Sequence, residues 1–475
     1  MRGAKRTATA ALTAGRFGRG ARSSTADPGP QSRLAGRRGA RAGRQGPGAP
    51  CAQRGRGRAA PRLVRRTGTI SVASRFCSCP AQARSCLIPP TIGVSGEFVV
   101  RIAQIAPLAE AVPPKFYGGT ERVVSWLTEE LVRQGHDVTL FASGDSETSA
   151  KLVACAPEGL RLAGIRDHVA SHLAMLYHLR RRADEFDIIH FHIDLLQYPL
   201  FEDLNHKCVT TLHGRLDVPD FMPVYRTFTG MPLVSISDHQ RGPMPSNANW
   251  LATIHHGLPA ENCRFSAAPR DGGYLAFLGR ISPEKRPDRA IEMAKRSGVK
   301  LKIAAKVDKA DQEYWDEVIE PMTHHPLIEY IGEINEDQKH EFLGNALALA
   351  FPIDWPEPFG LVMIEAMSAG TPVIAWRNGS VPEVIKDGVS GVLVESMDEA
   401  VAAVETVKGM SRQAVRRYFD TRFTATVMAN TYLNAYESLI AADAAAIKLP
   451  GLRPEIGAGA ANGVHGAKPA GLWPL

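Results

Sequence analysis

The sequence predicts an α/β protein with two consecutive domains, each a parallel β-sheet covered by helices. From residue 98 onward, short runs rich in β-branched residues alternate with amphipathic helical patterns, as is typical of parallel strands buried on both faces. Residues 263–273 show neither pattern and are predicted to link the domains. The segment is too long for a domain with a single sheet, whereas two domains fit the usual size range.

Six strands are predicted in each domain. The first six are VVRIAQIA, DVTLFA, DIIHFH, CVTTLH, PLVSIS and WLATIHH, and the second six are YLAFLG, LKIAAK, LIEYIG, LALAFP, PVIAW and GVLVE. Two open parallel sheets place ligands at the carboxyl ends of their strands, so the loops that follow these strands are the candidate site. The predicted segments are a disordered extension at 1–97, domains at 98–264 and 265–420, a helix at 421–445 and a disordered tail at 446–475.

The formal net charge of +7 does not describe the predicted domains. Residues 1–99 carry 19 basic and two acidic side chains, whereas the rest of the chain carries 37 basic and 47 acidic ones. An acidic body argues against a nucleic-acid partner. The Arg/Gly/Ala-rich extension cannot bury a core, and we interpret it as translated sequence upstream of a natural start near Val100 or, alternatively, as a transit segment.

The cysteines of the body indicate a reducing compartment. Cys155, Cys208 and Cys263 are widely spaced and odd in number, which argues against a disulfide framework. The sequence has no run of 18 or more apolar residues that would predict a membrane span. We therefore expect a cytoplasmic protein, with peripheral contact to a membrane left open.

Two loops of the first domain are candidates for ligand contact. Gly118 and Gly119 precede a helix, where backbone amides can approach an anion, although a tight turn explains the pair equally well. His213 directly follows a strand and either faces the ligand or is a structural histidine. His190, His192 and Asp194 alternate along another strand, and we interpret them as structural rather than as metal ligands.

In the second domain, charged residues follow two strands. Arg280 follows the first strand and Lys285 lies where a helix is expected to begin, a combination that suits a diphosphate; the alternative is a solvated basic turn. Glu357 and Glu365 stand eight positions apart in EPFGLVMIEAMSAGTPVIA. One carboxylate lies in a Pro/Gly turn and the other lies two helical turns further on.

Four segments carry a resemblance to a known family. GRISPEK, EPFGLVMIEAMSAGTPVIA and GSVPEVIKDGVSGVLV resemble the retaining, nucleotide-sugar-dependent glycosyltransferases of family four, also called group one, and TTLHG resembles the amino half of the same family. The likeness covers about residues 100–440. It implies the GT-B fold, in which two Rossmann-like domains face each other across a cleft. The first domain would bind the acceptor, the second would bind the donor, and the C-terminal helix would pack back on the junction.

The resemblance also implies roles for individual residues. Glu357 would hold the hydroxyls of the donor sugar near the reacting carbon, His213 would approach that sugar from the opposite wall, and Glu365 would accept hydrogen bonds from the ribose diol. The backbone amides of the turn would also reach the donor; they belong to Phe359, Gly360 and Leu361.

The implied diphosphate contacts come from both domains. Arg280 and Lys285 would clamp the diphosphate, and Gly119 in the Gly118–Gly119 turn would contact a phosphate. No metal and no cofactor besides the donor substrate is implied, which agrees with the absence of Asp-x-Asp from the sequence. The resemblance favours same-face attack, in which a phosphate oxygen takes the proton of the acceptor.

Other functions remain open. A phosphorylase or a sugar-nucleotide epimerase would keep the fold, and a non-catalytic nucleotide-sugar-binding subunit would keep the site without turnover; a dehydrogenase is disfavoured because the dinucleotide fingerprint is missing. The acceptor, whether sugar, lipid-linked or small molecule, is not identified. The basic run Arg180–Arg182 is interpreted as a solvated helix face rather than a lipid contact. His255 and His256 are expected in a surface turn, with a role at the hinge or on the acceptor side as the alternative.

Overall fold

The computed structural model describes residues 99–115, 118–260, 264–270 and 272–447. The extension predicted for residues 1–97, and the predicted tail beyond residue 447, lie outside these ranges. The same holds for Cys263. Within them, Cys155 and Cys208 are free thiols, and no helix combines the length and hydropathy needed to cross a bilayer.

The first half of the described chain forms a seven-stranded parallel sheet with the order β3-β2-β1-β4-β5-β6-β7. Its strands are β1 (Arg101–Ile105), β2 (Asp137–Ser143), β3 (Lys151–Ala156), β4 (Ile188–Phe191), β5 (Cys208–Leu212), β6 (Leu233–Ser235) and β7 (Trp250–Thr253). The inner strands are buried on both faces, which explains their continuous apolar runs. The edge strand β3 was not predicted, because it is half exposed and has no such run.

Helices cover this sheet at α1 (Gly119–Arg133), α2 (Val169–Arg180), α3 (Tyr198–Phe201) and α4 (Met222–Thr227). Helix α1 buries Val123, Val124, Leu127 and Leu131, which confirms the apolar face expected from its 3.6-residue period. Arg180 at the end of α2 pairs with Asp203, and Arg182 in the following turn pairs with Glu185. Both arginines are therefore paired within the first domain, as expected for a charged surface.

The second half forms a six-stranded parallel sheet with the order β10-β9-β8-β11-β12-β13. Its strands are β8 (Leu275–Ile281), β9 (Leu301–Val307), β10 (Ile328–Gly332), β11 (Ala348–Phe351), β12 (Val373–Trp376) and β13 (Gly391–Val394). Its helices are α5 (Pro287–Ser297), α6 (Gln312–Tyr314), α7 (Glu320–Thr323), α8 (Glu336–Gly344), α9 (Leu361–Ser368), α10 (Val381–Val384), α11 (Met397–Lys408) and α12 (Arg412–Arg422), with a π-helical segment at Trp315–Ile319. Two parallel α/β sheets were therefore predicted correctly.

The C-terminal helix α13 (Ala425–Ile447) returns to the first sheet. Met428, Tyr432 and Tyr436 pack in one buried cluster with strand residues of the first half, including Ile102. The helix was expected from residue 421, but Arg422 ends α12 instead. The helical conformation is interrupted between α12 and α13 because Thr424 forms a β-bridge with Leu258.

Candidate active site

A cavity of about 1390 Å³ lies where loops from the two sheets meet. Most of its lining residues follow the carboxyl ends of strands β1, β5, β7, β8, β10 and β11, as expected for open parallel sheets. All of the predicted site residues line it: Gly118, Gly119, His213, Arg280, Lys285, Glu357, Phe359, Gly360, Leu361 and Glu365. The structure thus brings together residues that are up to 247 positions apart in the chain.

On the N-terminal wall, the Gly118–Gly119 turn leads into helix α1. A Cβ atom on Gly118 would lie 2.8 Å from Pro114 Cβ and 2.9 Å from Glu121 Oε2, so no side chain fits there. Gly119 is the first residue of the helix, and a Cβ atom on it would lie 3.9 Å from Leu361 of the opposite wall. The helix N-terminus, with its unsatisfied backbone N–H groups, therefore faces a narrow part of the cavity.

On the C-terminal wall, Glu357 is held by two donors. Lys285 Nζ forms an ion pair with Glu357 Oε2, and the indole Nε1 of Trp355 donates to the same oxygen at 3.0 Å. Lys285 also lies over the Trp355 ring, with Nζ 4.9 Å from the centroid. Both charged side chains are largely buried, so their geometry is fixed by contacts rather than by solvent.

The backbone around Glu357 is packed so closely that no side chain fits at Gly379. Gly379 has φ of +57°, and a Cβ atom there would lie 2.4 Å from the backbone nitrogen of Glu357. Ser380 donates from its backbone N–H to Glu357 O at 3.0 Å and from its hydroxyl to Phe359 O at 2.9 Å. Gly360, with φ of +80°, directly precedes helix α9 as its N-cap residue. This backbone packing fixes the direction of the Glu357 side chain.

Glu365 lies on helix α9 and pairs with Lys339, whose Nζ is 2.8 Å from Glu365 Oε1. Lys339 also forms an ion pair with Glu336 at 2.8 Å. Glu336 in turn forms an ion pair with Arg122 of the N-terminal wall at 2.6 Å. Burial disfavours charge on Lys339, but the two glutamates outweigh it and raise the pKa of the ammonium. Sequence analysis missed Lys339, because a lysine in a short polar helix resembles any solvated one.

Arg280 lies within strand β8 and not after it, as had been expected. Its guanidinium is 3.2 Å from Glu284, 3.6 Å from Asp308 and 3.9 Å from Asp311. Helix α5 begins at Pro287 and not at Lys285, because proline favours the first helical position. Arg280 and Lys285 therefore line the cavity from a strand end and a turn.

Two buried histidines, His190 and His192, lie behind His213 and His256, which line the cavity. His190 bonds Tyr436 at 2.8 Å and Thr211 at 2.7 Å, and His192 bonds His213 at 2.8 Å. Within the described chain, no group of three or more His, Cys, Asp or Glu side chains is arranged to hold a metal ion. Our structural interpretation of His190 and His192 agrees with these contacts.

His256 contradicts the expectation of a surface turn. It is 4% exposed, lines the cavity, stacks on His213 with ring centroids 5.3 Å apart and meets Phe359 edge-on at 4.9 Å. The loop after β7 is buried because Leu258 pairs with Thr424. His256 thus connects His213 of one wall with the Phe359 turn of the other. His255 bonds Glu383 at 3.4 Å.

Two family models match consecutive parts of the chain. One, described as glycosyltransferase family 4, matches residues 117–257, and the other, described as glycosyl transferases group 1, matches residues 261–418. The two matches cover most of both sheets but leave out strand β1 and helix α13. They include every residue singled out above as lining the cavity.

Individual proteins share the same organisation. A glycogen synthase from Mycobacterium tuberculosis is 25% identical over 398 residues, which cover 68% of this chain and 92% of that protein. The structure of a sucrose-phosphate synthase from Thermosynechococcus elongatus superposes with a TM-score of 0.59 at 17% identity, covering 72% of this chain and 100% of that one. Anabaena Alr3699/HepE in complex with UDP-glucose superposes with a TM-score of 0.54 at 16% identity, covering 71% and 100%. At sequence identities this low, the likeness to the two solved structures establishes the fold.

Proposed function

Because the chain belongs to the family 4 (group 1) glycosyltransferases with the GT-B fold, we propose that it transfers a hexosyl group from a nucleoside diphosphate hexose to an acceptor hydroxyl. Transfer retains the anomeric configuration and needs no divalent metal. The observation that carries the proposal is the shared cavity, where Arg280, Lys285 and both glutamates face His213 and the N-terminus of α1.

The chemistry follows from where charge develops. The bond between the anomeric carbon and the phosphate oxygen breaks, and its electron pair leaves with the nucleoside diphosphate. Lys285, Arg280 and the α1 N-terminus supply positive charge to this leaving group, and preorganised charge of this kind stabilises the transition state more than the ground state. These groups take the part that a metal ion plays in other transferases.

Retention is proposed to arise from attack on the same face that the diphosphate leaves. The acceptor oxygen forms the new bond to the anomeric carbon, and its proton passes to the departing phosphate oxygen. The competing route needs a carboxylate nucleophile on the opposite face. Among the described lining residues, the N-terminal wall contributes Glu121, and burial raises the pKa of this carboxyl, which weakens it as a nucleophile.

The sugar and ribose are assigned to the two glutamates. In this proposal Glu357, held by Lys285 and Trp355, accepts hydrogen bonds from hexose hydroxyls, and Glu365 accepts them from the ribose diol. Alr3699/HepE was solved with UDP-glucose, so UDP-glucose is the first donor to test. The acceptor is a hydroxyl compound whose identity depends on the N-terminal loops.

A donor screen tests the proposal. Glucose and mannose conjugates of UDP, GDP and ADP are added to the full chain, and the melting temperature is measured; the true donor raises it, because a ligand that binds the native state stabilises that state. Donor turnover is then followed for Glu357→Ala and Lys285→Ala, with exposed Glu395→Ala as a matched control. Loss of turnover in both site variants, with folding retained, supports transfer.

Three results would contradict the proposal. Turnover that survives both site substitutions would show that Glu357 and Lys285 are not needed for the reaction. Turnover that depends on inorganic phosphate without a separate acceptor would identify a phosphorylase. Donor binding by the unmodified chain without transfer or hydrolysis would identify a binding subunit.

A further inference from the structure

His213 is supported from behind by two buried side chains. His192 Nδ1 lies 2.8 Å from His213 Nε2, and His192 Nε2 lies 2.8 Å from Gln104 Oε1. Gln104 on β1 and His192 after β4 are 0% and 3% exposed. The three side chains therefore form a hydrogen-bonded row from the middle of the sheet to the wall of the cavity.

The row is anchored by the C-terminal helix. The ring of His190 packs on the ring of His192, with centroids 4.1 Å apart. His190 is fixed by Tyr436 on α13 at 2.8 Å and by Thr211 on β5 at 2.7 Å. Rotation of the His192 ring would break its packing on the fixed His190 ring and its bonds to Gln104 and His213, so its orientation is set by the core.

The imidazoles of this row are neutral at physiological pH. Burial lowers the pKa of His213 to about 3. It lowers the pKa of His192 well below the ordinary value, and the neighbouring His190, His213 and His256 add to the effect. A neutral imidazole carries a single N–H, so each ring is a donor at one nitrogen and an acceptor at the other.

The direction of the row follows from its first member. The structure places the amide oxygen of Gln104 against His192 Nε2, and the amide nitrogen has no hydrogen-bond partner within the described residues. With the amide in this orientation the oxygen only accepts, so His192 Nε2 carries the proton and His192 Nδ1 accepts. His213 must then donate from Nε2, which leaves a lone pair on His213 Nδ1. This nitrogen is buried and has no hydrogen-bond partner within the described part of the chain, and its ring lines the cavity.

We propose that Gln104 and His192 are positioning residues that hold His213 in the Nε2–H tautomer, so that its Nδ1 accepts a hydrogen bond from a hydroxyl of the bound hexose. The site consequently selects a hydroxyl donor at this position and disfavours a carboxylate or phosphate, which could not donate. The identity of the ligand rests on the proposed function; the tautomer does not.

The tautomer is measured without any ligand. The full chain labelled with ¹⁵N-histidine is recorded in two-bond ¹H–¹⁵N spectra, which distinguish the two neutral tautomers, and His213→Gln identifies the signal. We expect His213 to carry its proton on Nε2 and to lose this preference in Gln104→Met. An Nδ1–H signal in the unmodified protein, or an unchanged signal in Gln104→Met, would overturn the inference.

Binding gives a second, independent readout. The dissociation constants of UDP-glucose and of UDP are compared for the unmodified chain, for Gln104→Met and for the exposed control Gln413→Met; if the donor screen selects another nucleotide sugar, that pair is used. We expect Gln104→Met to weaken the nucleotide sugar about fivefold to tenfold and to leave the free nucleotide unchanged. Equal weakening of both ligands, or of neither, would show that the row is only structural.

The two experiments separate the possible failures. A chain that shows the expected tautomer but binds no nucleotide sugar contradicts the proposed function and leaves the positioning of His213 intact. A chain that binds and transfers hexose while His213 carries its proton on Nδ1 retains the function and contradicts the positioning.

Discussion

Lys339 Nζ lies 2.8 Å from Glu365 Oε1, so the carboxylate assigned to the ribose is already paired within the protein. Lys339 and Glu365 are each 13% exposed. Through Glu336, the same lysine is connected to Arg122 on the opposite wall. Donor binding at Glu365 would therefore act on a charged row that joins the two halves of the molecule.

Removing Lys339 should destabilise the protein and weaken nucleotide binding together. We expect Lys339→Met to lower the free energy of unfolding by about 3 kcal/mol, because a buried carboxylate loses its counter-charge. Denaturant unfolding measures this change, and Lys408→Met in the exposed pair with Glu405 is the control, with an expected change below about 0.5 kcal/mol.

A double variant separates stability from binding. Lys339→Met combined with Glu365→Leu should recover most of the lost stability, because an apolar pair can replace a buried ion pair. It should still fail to bind the nucleotide. Restored nucleotide binding in the double variant would mean that Glu365 does not contact the ribose.

Trp355 should affect the rate of donor turnover through its hydrogen bond to Glu357. Trp355→Phe keeps an aromatic ring beneath Lys285 but removes the indole N–H that donates to Glu357. We expect donor turnover to fall about tenfold or more, because one hydrogen bond to a charged group contributes about 1.5–3 kcal/mol, while binding of the free nucleotide stays constant. Trp315→Phe, in the C-terminal half and outside the cavity lining, is the control. Unchanged turnover would exclude a role for the indole.

The turn around Glu357 offers a steric prediction. Gly379 and Gly388 both have positive φ, but a Cβ atom would lie 2.4 Å from Glu357 N at the first and would meet nothing within 4 Å at the second. Gly388→Ala should therefore cost only the conformational penalty of about 1 kcal/mol. Gly379→Ala should cost more and should also reduce donor turnover. Thermal unfolding of both variants measures the difference, and equal losses would contradict the steric explanation.

The sequence predicted the sheets and much of the cavity lining, because apolar runs and strand-end loops are local signals. It did not predict the pairings of Lys339 and His256, since both depend on contacts between distant segments: helix α8 with α9, and the loop after β7 with Phe359. The start of α13 was wrong for the same reason, because Thr424 leaves the helical pattern to pair with Leu258.

The buried histidines predict how stability depends on pH. Burial lowers the pKa of His190, His192 and His256 well below the ordinary value and that of His213 to about 3, whereas histidines of an unfolded chain titrate near about 6.5. Below that pH the unfolded chain binds more protons than the native one. The contribution of these neutral histidines to the free energy of unfolding should therefore be complete above about pH 7, and it should decrease as the pH falls through 6.5.

A substitution isolates this effect from other titrating groups. Asp194, whose pKa burial raises to about 6, acts in the opposite direction and reduces the slope, whereas burial also lowers the pKa of His136 and His172, which increases it. His192→Gln should reduce the slope between pH 5 and 6 by at most about 1.4 kcal/mol per pH unit, whereas exposed His206→Gln should leave it unchanged. Denaturant unfolding across this range measures both, and identical slopes would mean that His192 is protonated in the native state.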